Sequence, residues 1–76
     1  MSKKSALKRQ IAEGEKEIEN LEKKRMRSQS AIMEANVNGV APNASDLEYF
    51  KIYSNLIDLE RKNLRQLNAE LDKLKK

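Results

Sequence analysis

The chain has 76 residues, with no cysteine, no histidine, one proline and two glycines, and 37% of it is charged. That length allows one folding unit. The missing residue types exclude a disulfide framework, thiolate or imidazole metal sites and histidine acid–base catalysis. The 16 basic and 12 acidic residues leave a formal charge of +4, which permits contact with an acidic surface without requiring it.

The N-terminal stretch MSKKSALKRQIAEGEKEIE carries no continuous apolar run. Neither a signal peptide nor a membrane span is therefore expected, and a soluble cytoplasmic protein is the simplest expectation. High charge with little glycine or proline is the composition of a coiled coil or long helix. A first helix is expected over about residues 5–36. Its seam reads Leu7, Ile11, Gly14, Ile18, Leu21, Arg25, Ser28, Ile32 and Ala35, in unbroken steps of four and three that define a heptad repeat.

The stretch NVNGVAPNAS interrupts that pattern, and the tip of the fold is expected at about residues 37–44. Asn38-Gly39 can supply the positive φ that ends a helix, and Pro42 keeps Ala41 out of helical conformation. Ser45 followed by Glu48 reads as a capping box opening a second helix over about 46–75, with Asp46 favoured by the dipole of its first turn. The second seam reads Phe50, Tyr53, Ile57, Glu60, Leu64, Leu67, Leu71 and Leu74.

The two seams are in phase if the chain doubles back at the tip. Ile32 would then face Phe50, Arg25 would face Ile57, Ile18 would face Leu64, Gly14 would face Leu67 and Leu7 would face Leu74. The expected fold is all-α, a single antiparallel two-helix coiled-coil hairpin over residues 1–76, self-associating into a helical bundle. Arg25 and Glu60 fall in adjacent layers, where they either reach each other as a register-fixing pair or leave Arg25 to snorkel to solvent over Ile57.

Outside the seam, Tyr49, Ile52, Leu56 and Leu59 form a second apolar line on helix two, and Met26, Met33 and Val37 lie off the seam of helix one. Contiguous apolar surface of this kind marks a contact site, filled either by another protein's helix or by a second copy of the chain. Lys3, Lys4, Lys8 and Arg9 at one end of the chain and Lys73, Lys75 and Lys76 at the other would meet in a hairpin and make one basic pole. A further cluster, Lys23-Lys24-Arg25-Met26-Arg27, lies midway along helix one. Nucleic-acid binding is disfavoured, because acidic residues are interleaved along both arms and no aromatic stacking platform is present. Nothing in the chain reads as a phosphate loop, a nucleophile–base constellation or a metal-ligand spacing, so no enzyme activity, cofactor, metal or small-molecule substrate is expected. Asn43-Ala44-Ser45 matches a glycosylation acceptor but is explained by the turn and the helix start.

Gly39-Val40, a short polar stretch, Phe50-x-x-Tyr53-x-x-x-Ile57 and the leucine-rich arm that follows resemble the FliJ/YscO group. These are the coiled-coil stalk proteins of flagellar and type III secretion export machines. The resemblance spans Gly39 to Leu71. It implies an antiparallel helical hairpin that associates with an export ATPase and with export chaperones, with partner contacts at Phe50, Tyr53 and Ile57. This chain is much shorter than typical members, which points to a small accessory or chaperone-like hairpin rather than a full stalk. The functional expectation is thus a non-enzymatic hairpin adaptor or chaperone acting by helix packing. The alternative is a structural homo-oligomeric scaffold, with a basic nucleic-acid accessory protein ranked below both.

Overall fold

The computed structural model describes residues 2–75 and consists of two helices, α1 (Lys3–Val37) and α2 (Ala44–Lys75), packed side by side in opposite directions. The molecule is a rod of 56 × 16 × 16 Å, close to the length that 1.5 Å of rise per residue gives for a helix of 35 residues. The all-α antiparallel hairpin is therefore the fold. No helix among the described residues is long and apolar enough to cross a membrane.

Each helix end has a local cause. Ser2 is extended and its hydroxyl accepts the Ser5 N–H at 3.1 Å, so α1 begins earlier than the heptad pattern alone suggests. At the other end Gly39 adopts φ +70°, donating its N–H to the Asn36 carbonyl at 3.2 Å while Val40 donates to the Ala35 carbonyl at 3.0 Å. This is the Schellman arrangement, in which a left-handed glycine satisfies carbonyls the helix leaves unpaired. The start of α2 departs from expectation. Asn43, not Ser45, is the cap: its Oδ1 accepts the Ser45 N–H at 3.2 Å, and its carbonyl accepts the Asp46 and Leu47 N–H groups. Pro42 bars helix before it, Asn43 follows at once, and asparagine caps as well as serine. The helix starts as soon as the proline permits, and the Ser45–Glu48 capping box does not form.

Burial follows the seam. In α1 the buried residues are Leu7, Gly14, Leu21 and Ser28, one per heptad, while Ile11, Ile18, Arg25 and Ile32 are half-buried between them. In α2, Ile57 and Leu71 are buried and Phe50, Tyr53, Glu60, Leu64 and Leu67 are half-buried. Leu74 is 42% exposed, beyond the end of the packed seam.

The register between the helices is slipped by about one seam step from the expected one. Gly14 lies against Leu64, not Leu67: a Cβ added there would come within 2.7 Å of Leu64 Cδ2 and 2.9 Å of Glu60 Oε1. Arg25 lies against Phe50 and Ser54, not Ile57. Carried along two rigid helices, this register sets Leu21 opposite Ile57 and Leu7 opposite Leu71, which are the four buried hydrophobic side chains. The slip has a simple origin. Counting positions outward from the tip treats every residue as if it rose by a helical 1.5 Å, whereas non-helical residues advance by up to about 3.3 Å. Residues 41–43 lie outside both helices, and a longer advance per residue there sets each α2 residue further from the tip than counting suggests.

Candidate helix-docking surface

A heptad repeat leaves two flanks beside the seam, and antiparallel pairing places like flanks of the two helices together. On α2, Tyr49 and Leu56 border the seam on one flank, with Ile52 and Leu59 one step further out. The four side chains are 51%, 42%, 41% and 64% exposed respectively. They follow one another along about three helical turns. Tyr49 stacks on Tyr53 with ring centroids 6.1 Å apart and an interplanar angle of 21°. Because Tyr53 belongs to the seam, this contact pins the tip-side end of the stripe to the core.

The facing wall comes from α1. Lys24, Arg27 and Ser28 join Asp46, Tyr49 and Tyr53 around a depression of about 240 Å³, so the groove has a basic α1 wall and an α2 wall of two tyrosines and a carboxylate. Further from the tip, Glu17 and Asn20 continue the α1 wall beside Lys24 and Arg27.

Met26 and Met33 do not join this surface. Their heptad positions lie on the opposite flank of α1, and Met26 sits in an open depression made of Lys23, Arg27, Ser30, Ala31 and Glu34 with no contribution from α2. Both methionines are well exposed, at 64% and 58%. Leu47 and Val40, also exposed, add apolar surface near the tip that the seam-based reading passed over. Lys24 and Arg27 were passed over as groove residues too. Their signal was present, since antiparallel flank matching places them beside Tyr49 and Leu56.

Arg25 and Glu60 do not pair. The Arg25 guanidinium lies 5.9 Å from the Phe50 ring centroid, and its Nη1 donates to the Ser54 hydroxyl at 3.4 Å. Glu60 accepts from Asn63 Nδ2 at 3.4 Å and abuts Gly14. The slipped register separates the two charges, and the face of an aromatic ring, an adequate neighbour for a cation, takes the role expected of the carboxylate. The one ion pair among the described residues, Lys23 to Glu19 at 3.4 Å, is exposed along α1 and contributes little.

At the open end the N-terminal cluster Lys3, Lys4, Lys8 and Arg9 and the C-terminal Lys73 and Lys75 share one end of the rod, by the antiparallel course of the helices. Lys76 lies outside the described residues. Comparison with protein-family models, with curated proteins and with solved structures finds no match.

Proposed function

We propose that the protein is a non-enzymatic helical-hairpin adaptor or chaperone-like protein that captures a partner by helix packing. The observation that carries this reading is the stripe Tyr49, Ile52, Leu56 and Leu59: aligned, exposed and outside the seam that holds the hairpin together. An apolar line spaced along one helix, next to a second helix, offers the groove that an amphipathic helix takes. The resemblance of residues 39–71 to the export-stalk proteins supports a setting in a cytoplasmic secretion or export apparatus. The hairpin architecture agrees with that setting.

The test is capture by the intact chain from the native cell, with Ile52→Gln/Leu56→Gln as the control. The reading expects a protein retained by the parent and lost by the variant while both remain helical. Identical capture by the two chains would remove it.

A second reading, a homo-oligomeric scaffold, is favoured by the thin core. Among the described residues only Leu7, Leu21, Ile57 and Leu71 are buried hydrophobic side chains, and small folds commonly gain stability by association. A stable dimer at concentrations on the order of micromolar, by sedimentation or light scattering, would favour it.

A further inference from the structure

The depressions on the outer faces of the hairpin are single-helix surfaces. One is built from α1 residues alone, the other from Asn55, Asp58, Leu59, Lys62 and Arg65 of α2. The groove beside Tyr49 differs in having a wall from each helix, Lys24, Arg27 and Ser28 of α1 and Asp46, Tyr49 and Tyr53 of α2. Its charges also differ. Lys24 and Arg27 line the groove with Tyr49 and make no ion pair within 4.0 Å among the described residues, whereas Lys23, one residue away, is engaged by Glu19. Three carboxylates share depressions with these two cations without pairing to them: Asp46 in the first turn of α2, where the helix dipole favours a negative charge, Glu17 toward the open end and Glu34 toward the tip.

We propose that an amphipathic helix of a different protein lies along this groove and the exposed stripe that continues from Tyr49, with its apolar face on Ile52 and Leu56 and an acidic edge meeting Lys24 and Arg27. This deepens the docking reading above and rests on it. Lys24 and Arg27 are one helical turn apart, so the matching feature on the partner is a pair of carboxylates at the same spacing, central in its edge. A second copy fits this groove less well. Matching stripe to stripe sets α2 against its mate and α1 against its mate, which brings Lys24 toward the other copy's Lys24. Like charges at that position oppose such a dimer, whereas an acidic edge relieves them.

The probe is a pair of helical peptides with the same leucine face, one with a glutamate edge and one with a lysine edge, titrated against the full chain by fluorescence anisotropy. At low salt the glutamate-edged peptide is expected to bind at least about tenfold more tightly, with the preference shrinking as salt rises. Lys24→Glu/Arg27→Glu is expected to reverse the preference, and Lys24→Gln/Arg27→Gln to abolish it, with circular dichroism unchanged. Equal binding of the two peptides, or a preference that survives both variants, overturns the acidic edge and leaves the docking reading standing. Binding of neither peptide overturns the docking reading together with the edge. A dimer that Ile52→Gln/Leu56→Gln dissociates overturns the proposal in favour of the second copy.

Discussion

Asn43 holds the start of α2 because it stands directly after Pro42, and its Oδ1 reaches the Ser45 N–H. Replacing it with alanine leaves that donor unpaired in the first turn, and the expected cost is about 1 kcal/mol. Ser45→Ala removes only an exposed hydroxyl that donates to Asn43 Oδ1 at 3.1 Å. Its expected effect is within about 0.5 kcal/mol. Urea unfolding of the two variants separates the caps, and the opposite ranking would restore Ser45 to that role. Two residues that both cap well, one helix position from each other's turn, cannot be ordered from propensity alone. Gly39 was easier to read, because a left-handed residue between Asn38 and Pro42 has few candidates, and glycine takes φ +70° without a Cβ penalty.

Along each element the heptad spacing was legible, and burial follows it residue by residue from Leu7 to Ser28 and from Phe50 to Leu71. What spacing does not carry is the offset between the helices. That offset depends on how far Ala41 to Asn43 travel, a property of three non-helical residues rather than of the long arms. The expected Arg25–Glu60 pair failed for this reason, as did the placement of Gly14 against Leu67. The actual partner of Gly14 makes its own prediction. A methyl there would come within 2.7 Å of Leu64 Cδ2 and 2.9 Å of Glu60 Oε1, the far ends of two half-buried side chains that must shift to admit it. Gly14→Ala is therefore expected to be near neutral, since better helix propensity, worth up to about 1 kcal/mol, offsets the repacking. Gly14→Leu brings a full side chain to the same spot and is expected to cost about 1–3 kcal/mol. Thermal unfolding checks both, and tolerance of leucine would mean that the helices are not in close contact at this level.

At the scale of the whole molecule, the rod has a thin seam, a basic open end and two apolar flanks near the tip. The stripe residues were legible as apolar positions off the seam. Met26 and Met33, set opposite that stripe, fall on the other flank of α1 by heptad phase, which leaves a division between the two apolar sets. That division matters for function. Tyr49, at the tip-side end of the stripe, lines a depression with walls from both helices, whereas Met26 lies in a depression of α1 residues alone. It also explains why Phe50, Tyr53 and Ile57 are poor candidates for partner contact: Ile57 is fully buried and the other two are half-buried in the seam.

The central claim, that the α2 stripe is a surface and not part of the core, is tested most directly by urea unfolding at a dilution where the chain is monomeric, comparing Ile52→Gln/Leu56→Gln with Ile57→Ala. Ile57 is 0% exposed, and its truncation is expected to cost about 2–5 kcal/mol. The double variant, made with good helix formers at exposed positions, is expected to stay within about 1 kcal/mol of the parent. A double variant that loses as much stability as Ile57→Ala would contradict the account, since Ile52 and Leu56 would then be holding the hairpin together rather than waiting for a partner.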